Sequence, residues 1–99
     1  MTHSVAPRAA AELDEIWLYV AAESNSVDVA NKLIDSITER FLLLAKHPYL
    51  GRTRDHDLGA GSRTFPVGEY VIVYTVEHKN VLILRVVHGR RDLAALFGD

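Results

Sequence analysis

The sequence predicts an α+β domain in which a helical hairpin packs on a small, mostly antiparallel sheet, in the order β-α-α-β-β-β. Two observations lead to this prediction. The first half of the chain contains two segments with apolar residues at helical spacing, separated by a polar break. The last third contains two apolar runs, 70–76 and 81–87, joined by polar residues, which is typical of a β-hairpin. A short helical segment is expected at residues 93–97.

The first helix is predicted to begin at Pro7, because the N–H that proline lacks would have no partner in the first helical turn. Apolar residues then recur at spacings of three and four along one face: Ala9, Leu13, Ile16, Trp17 and Val20. Glu12, Asp14 and Glu15 lie toward the N-terminal end, where the helix dipole favours negative charge. The polar residues 23–26 are expected to end this helix.

The second helix is predicted to begin after Ser26, whose hydroxyl is suited to cap it, with Asp28 in its first turn. Its apolar stripe consists of Ala30, Leu33, Ile34, Ile37, Phe41 and Leu44. It is expected to stop at His47, since a proline disfavours helical geometry in the residue before it. Neither stripe suits contact with water, so the sheet is expected to bury both helices.

The remaining strands are predicted from shorter signals. Residues 50–62 are rich in Gly, Arg and Asp and are expected to form a surface loop. Residues 64–67 form a short strand, in which Pro66 indicates an edge position because proline has no N–H for a ladder. The short apolar piece at residues 4–5 is predicted to add another edge strand.

Strict alternation divides the hairpin into two faces. We expect the helices to cover the more aliphatic face, which holds Val71, Val73, Thr75, Leu82, Leu84 and Val86. The other face carries Tyr70, Tyr74 and Arg85 and is expected to be less completely covered. Such a face suits docking by a partner helix. The alternative is that Arg85 pairs with Glu69 or Glu77 on a solvated face.

Composition sets the general class of the protein. Residues 1–99 are expected to form one domain, and 48% hydrophobic with 24% charged residues describes an ordinary globular chain. There is no cysteine, no signal peptide pattern and no apolar stretch that approaches membrane-spanning length, so a cytoplasmic location is expected. A net charge of -2 and a pI near 6.2 argue against a partner held by phosphate neutralisation. A protein partner is the better expectation.

The end of the last strand carries a compact group of cationic side chains. His88 is followed by Arg90 and Arg91, directly after the apolar run. Arginine presents a rigid fork of donors that suits carboxylate and phosphate groups. We therefore expect this end of the sheet to meet an anion or an acidic partner, unless Arg91 merely pairs with Asp92 or a helix C-terminus.

The chain resembles the ParE branch of the RelE/ParE toxin superfamily over nearly its whole length. The resemblance rests on five segments in order: AAELDEIW at 10–17, HPYLGR at 47–52, GSR at 61–63, YVIVY at 70–74 and LRVVHGRRD at 84–92. It implies the toxin of a type II toxin–antitoxin module that inhibits DNA gyrase by protein contact and forms a hetero-oligomer with a ParD-like antitoxin. It implies no cofactor, and nucleic acid contact only through the antitoxin. The residues expected to contact the target or the antitoxin are Arg63, Tyr70, Tyr74, Arg85, Arg90 and Arg91.

The superfamily also contains RelE-like members that cut messenger RNA on the ribosome with basic residues on the sheet. Where the cleaving pattern has an arginine after the opening tyrosine of the middle strand, this chain has Val71, and where it has a C-terminal tyrosine, the chain has Phe97. Valine neither holds a phosphate nor moves a proton. A ribosome-dependent endoribonuclease is thus the alternative and not the main expectation. It would use Arg63, His88 and Arg91. A third reading is a degenerate, non-toxic member that still binds its antitoxin.

Other motifs carry less chemistry. Residues 55–57 read Asp-His-Asp, but three neighbours in a loop without distant ligands do not predict a metal site. Residues 59–61 lack the Gly-Lys-Ser/Thr ending of a phosphate-binding loop. Nothing in the spacing of Ser62, His88 and Asp92 supports a nucleophilic triad. No metal is expected.

Overall fold

The structure is a computed structural model that describes residues 2–90, with His56 described by its backbone alone. Its helices are α1 (Pro7–Ser24), α2 (Val27–Lys46) and the short α3 (Asp55–Leu58). Its strands are β1 (Thr2–Val5), β2 (Arg52–Thr53), β3 (Ser62–Val67), β4 (Tyr70–Glu77) and β5 (Asn80–His88). The α+β class and the order of the main elements are confirmed. Arg91 and the helical segment expected at residues 93–97 lie outside the described residues.

The strands form one five-stranded sheet in the order β1-β5-β4-β3-β2. β1 pairs with β5 in parallel and lies at the edge, while the other neighbours are antiparallel. β4 and β5 form the predicted hairpin, whose central turn residues His78 and Lys79 have φ of 47° and 63°. Two positive φ values are what a two-residue type I′ turn requires, and this turn matches the natural twist of the strands. Among residues 2–90, none of the helices has the combination of length and hydrophobicity that a bilayer span needs.

Both long helices begin and end at the residues that local signals predict. Pro7 occupies the first position of α1, and Asn25 closes that helix in the left-handed conformation at φ 54°. The Ser26 hydroxyl accepts a hydrogen bond from the N–H of Val29 at 3.2 Å and so caps α2. α2 ends at Lys46, with His47 in a non-helical conformation before Pro48.

The two helices cover one face of the sheet, where the main core lies. α2 contributes the fully buried Ile37, Phe41 and Leu44, and α1 contributes Ala9 and Ile16. The residues of β4 and β5 that meet them are Tyr70, Ile72, Tyr74, Val76, Val81, Ile83 and Val86. A second, smaller cluster on the other face joins Val71, Val73 and Val87 to Leu58 of α3. The expected assignment of faces in β4 is therefore wrong, because the tyrosines face the helices.

β5 departs from strict alternation because of a β-bulge. Val73 pairs with Arg85 and Tyr74 pairs with Ile83, which leaves Leu84 as the extra residue between them. A bulge of this kind shifts the alternation of all residues beyond it. Val81 and Ile83 before the bulge and Val86 after it consequently join the same helix-covered core. The prediction that Leu82, Leu84 and Val86 share that face is thus wrong for the first two.

The region between α2 and β3 is more ordered than the predicted loop. β2 pairs with β3, Arg52 opposite Thr64 and Thr53 opposite Arg63. α3 follows and lays Leu58, which is 6% exposed, on the smaller cluster. Pro66 of β3 lies beyond the two residue pairs that β2 makes, in agreement with the edge position predicted for it.

Candidate functional site

A cleft of about 560 Å³ opens between α1 and the strand ends where β4 begins and β5 finishes. Its helical wall consists of Glu12, Glu15, Ile16 and Tyr19, which recur at spacings of three and four on one face of α1. Its other wall is formed by Glu69, Tyr70, Val86, Val87, His88 and Arg90. Concave sites with an apolar floor and a few convergent polar groups are where binding is usually found.

The base of the cleft is fixed by a buried ion pair between Arg85 and Glu12. Arg85 Nε donates to both Glu12 carboxylate oxygens at 3.1 and 3.0 Å, and Nη2 donates to Oε2 at 2.7 Å. The backbone N–H of Val86 donates to Glu12 Oε1 at 3.0 Å. Charge-assisted bonds in this bidentate geometry offset part of the cost of burying two charges. They attach α1 to β5 directly after the bulge.

Arg85 is therefore not on the less covered face on which it was expected. The residue is 8% exposed, and its guanidinium meets Glu12, not Glu69 or Glu77, the partners considered for a solvated face. Alternation alone does not predict its position, since the bulge at Leu84 separates the two halves of β5. Arg85 joins β5 to α1 beneath the cleft.

His88 is held in place on three sides at the mouth of the cleft. Its Nδ1 accepts a hydrogen bond from the backbone N–H of Arg90 at 3.1 Å, and its Nε2 lies 3.9 Å from a carboxylate oxygen of Glu69. The ring meets Tyr70 edge to face, with 5.4 Å between centroids. An accepting Nδ1 places the proton of the neutral imidazole on Nε2, toward Glu69. These contacts fit a structural role for this histidine.

Tyr70 provides a protonated phenol inside the cleft. Burial raises the pKa of its hydroxyl, and the nearby Glu69 and Tyr19 raise it further. The hydroxyl therefore stays neutral at physiological pH and is able to donate a hydrogen bond. Glu69 and Tyr19 stand at the open rim, where the Glu69 side chain is 75% exposed and Tyr19 is 62% exposed.

Arg63 and Tyr74 lie away from the cleft and hold the loop that follows α2. Arg63 Nη1 donates to the carbonyl oxygens of Tyr49 at 3.1 Å and Gly51 at 2.8 Å, and the guanidinium lies 5.0 Å from the centre of the Tyr49 ring. The Tyr74 hydroxyl donates to the Pro48 carbonyl at 2.9 Å and accepts from the Gly51 N–H at 2.8 Å. Tyr74 is fully buried, and burial raises its pKa. Its expected place on a less covered face is wrong.

The sequence-predicted site residues therefore do not form one patch. Tyr70 and Arg90 line the cleft, Arg85 lies beneath it, and Arg91 lies outside the described residues. Arg63 pairs in register with Tyr74, whereas His88 pairs with Tyr70, four residues earlier in β4. That offset corresponds to about 13 Å along the strands. The two described members of the alternative ribonuclease set thus belong to different places.

The Asp-His-Asp motif has a structural role where the side chains are described. Asp57 pairs with the Arg54 guanidinium, and Asp55 Oδ1 accepts from the Gly61 N–H at 2.8 Å. Within the described part of the chain, no group of three or more His, Asp or Glu side chains is arranged to hold a metal ion.

Sequence reasoning missed the acidic wall of the cleft. Glu12 and Glu15 were expected to complement the helix dipole, yet the first turn of α1 contains no acidic residue. Glu12 instead lies beside Ala9 and Ile16 on the buried face. A buried carboxylate needs a cationic partner. The position of Glu12 within the apolar stripe was therefore the signal from which a buried ion pair was predictable. No signal in the sequence places Glu69 or Tyr19 in the same cleft as Glu12 and Glu15.

Comparisons with known proteins agree with this architecture. The family described as the ParE toxin of the type II toxin–antitoxin system parDE matches residues 4–93. Toxin ParE3 of Caulobacter vibrioides is 39% identical over 87 residues, which cover 88% of this chain and 85% of that protein. Toxin ParE1 of the same organism is 33% identical over 91 residues, 92% of each protein.

A solved structure supports the fold. The chromosomal ParDE toxin–antitoxin system from P. aeruginosa contains a chain that superposes with a TM-score of 0.77 at 24% identity, covering 89% of this chain and 95% of that one. The family match extends over most of the residues that form the helices, the sheet and the cleft. The chain belongs to the ParE toxin family of type II toxin–antitoxin systems.

Proposed function

We propose that this toxin inhibits DNA gyrase by protein contact in the cytoplasm and is neutralised by a ParD-like antitoxin in a hetero-oligomer. The observation that carries the proposal is the family match over residues 4–93, together with 39% identity to Toxin ParE3. Membership in a toxin–antitoxin family supplies the antitoxin as the partner. Gyrase is the target that the ParE branch implies.

Exposed apolar side chains support a protein partner. Leu18 and Tyr19 of α1 are 63% and 62% exposed, and Leu42 of α2 is 58% exposed. Tyr49 and Leu50, directly after α2, are also more than half exposed. Large apolar side chains that are exposed in this way mark regions that a partner covers. An antitoxin that wraps over the helices would remove them from water.

The alternative of ribonuclease chemistry has less support from the geometry. Such chemistry needs a cluster of basic groups around one phosphate. Arg63 instead binds two backbone carbonyls of the loop after α2, and His88 is on β5 at a different level of the sheet. No specific observation favours the degenerate, non-toxic reading over a working toxin.

A genetic experiment tests this function. Induced expression of the chain in its host is expected to arrest growth, and co-expression of the small protein encoded next to it is expected to relieve the arrest. Resistant colonies that keep an intact toxin gene should carry substitutions in gyrase. Resistance that maps to the ribosome, with cut messenger RNA in arrested cells, would establish the alternative. Normal growth at verified expression would contradict toxicity.

A further inference from the structure

We propose that the cleft between α1 and the strand ends receives an arginine or lysine side chain of the antitoxin. The inference rests on the proposed function, which supplies the antitoxin, and it names the chemistry by which this site recognises that partner. It reverses the sign expected from the sequence, where cationic residues at the strand end were predicted to meet an anion.

The charges that face the cleft leave carboxylates without a cationic partner. Arg85 and Glu12 neutralise each other at the base. Glu15 and Glu69 remain at the mouth, and among residues 2–90 only the imidazole of His88 approaches Glu69, at 3.9 Å. The Arg90 side chain is exposed, and in the described part of the chain it makes no ion pair with Glu15 or Glu69. An incoming positive charge would find two acceptors.

Two tyrosine rings add a second attraction for a cation. Tyr19 and Tyr70 both line the cleft, and they lie close enough for Tyr19 to help raise the pKa of Tyr70. A guanidinium or ammonium group above a tyrosine ring is attracted by the electron-rich face of the ring, and more strongly when water is excluded. Carboxylates and aromatic faces together favour an organic cation over a bare metal ion.

The floor of the cleft selects a cation on an apolar stem. Ile16 of α1 and Val86 of β5 are almost fully buried and form part of its lining. Arginine and lysine bury their methylene stems along such surfaces while the charged head reaches polar groups. A side chain of this shape fits a cleft of about 560 Å³ in which Ile16 and Val86 line part of the floor and Glu15 and Glu69 lie at the mouth beside His88 and Arg90.

The surroundings of the cleft indicate that the side chain comes from a protein. Tyr19 belongs both to the cleft and to the exposed apolar part of α1, next to Leu18. A partner that covers Leu18 thereby brings its own side chains to the cleft mouth. Neutralisation of a toxin requires a slowly dissociating complex, and enclosed charge pairs act mainly on the dissociation rate.

The test compares charge-neutral variants of nearly identical shape. Glu15→Gln with Glu69→Gln removes two carboxylates from the cleft, and Asp14→Asn with Glu23→Gln removes two exposed carboxylates from α1 outside it. By titration calorimetry with the purified cognate antitoxin, the cleft pair is expected to raise Kd about tenfold, since each substitution removes the charge from one partly exposed ion pair with the antitoxin. The matched pair is expected to change Kd less than about twofold. Circular dichroism and melting curves verify that both variants fold.

A second measurement identifies the partner side chain. Each basic residue of the antitoxin is replaced by Gln and measured against wild type and the cleft variant. At least one replacement should weaken binding to wild type and have no further effect on the cleft variant, which is the signature of a direct pair. Equal Kd values for the wild type and the cleft variant, with the complex intact, would overturn the proposal and leave the proposed function standing.

A small probe decides the case in which no antitoxin complex forms. N-acetyl-arginine amide, titrated into the purified chain by NMR, is expected to shift resonances of Tyr19, Tyr70 and His88, whereas the neutral citrulline analogue is not. If the antitoxin does not bind, the proposed function fails. The proposal that the antitoxin supplies the arginine or lysine side chain then fails as well. If both probes behave alike, the cleft has no preference for a cation and the inference fails.

Discussion

Arg85 in β5 and Glu12 in α1 are 73 residues apart in sequence and form a bidentate ion pair that is almost fully buried. The same carboxylate accepts the backbone N–H of Val86, so it contacts both the side chain and the main chain of β5 next to its bulge. This contact sets the distance between the helix and the strand ends. It therefore determines the width of the cleft that we assign to partner binding.

Removing one member of this pair is expected to destabilise the fold. Glu12→Gln leaves the Arg85 charge buried without its carboxylate, which typically costs about 3–5 kcal/mol of unfolding free energy. Glu12→Gln combined with Arg85→Met is expected to cost less than the sum of the single changes, because no buried charge remains. Urea unfolding measures all three variants. A cost of less than about 1 kcal/mol for Glu12→Gln would show that the pair does not support the fold.

The Tyr74 hydroxyl provides a second test of the structure, independent of charge. Tyr74→Phe removes the partner of the Gly51 N–H and of the Pro48 carbonyl, both near the core, and is expected to cost about 1–3 kcal/mol. Tyr49→Phe removes the same atom from a residue that is 66% exposed, and a change within about 0.5 kcal/mol is expected. Equal effects in denaturant unfolding would mean that the loop after α2 is not anchored by Tyr74.

Arg90 and Arg63 are expected to affect different properties. Arg90 is exposed at the cleft, so Arg90→Ala with Arg91→Ala should relieve growth arrest and leave the melting temperature nearly unchanged. Arg63→Ala should lower the melting temperature by several degrees, because two carbonyl oxygens lose their donor. Growth assays and melting curves measure both variants. A lower melting temperature for the Arg90 variant, with toxicity reduced only in proportion, would assign that cluster to stability alone.

Local signals explain why the helices were predictable. Ser26 caps α2 and Pro48 ends it, and both act within a few residues of their own position. The bulge at Leu84 has no comparable signal, since it arises from the pairing of β5 with β4. A single extra residue in a strand reverses every later assignment of faces. For that reason no regular alternation describes β5. The hairpin was predicted correctly, but the face of β4 was not, because its aliphatic residues and not its tyrosines were assigned to the helix-covered side.

The candidate site was predictable only in part for a similar reason. Tyr70 begins β4 and Arg90 follows the end of β5, both strands that were recognised, and both residues line the cleft. Glu15 and Tyr19 come from the opposite end of the sequence, and only the packing of α1 on β5 places them beside the strands. Composition was enough to indicate a protein partner. The sign of the charge at the site was not predictable, because it depends on the tertiary contacts that bring α1 to the strands.

Inhibition of gyrase by protein contact is tested most sharply by a supercoiling assay with purified components. Relaxed plasmid, ATP and gyrase are incubated with increasing toxin, with and without its antitoxin, and translating ribosomes are treated in parallel. We predict that the toxin blocks supercoiling, that an equimolar amount of antitoxin restores it, and that messenger RNA on the ribosomes stays intact. The contrary result is undiminished supercoiling at saturating toxin, together with codon-dependent cleavage of messenger RNA that Arg91→Ala abolishes. It would contradict inhibition of gyrase and support the ribonuclease alternative.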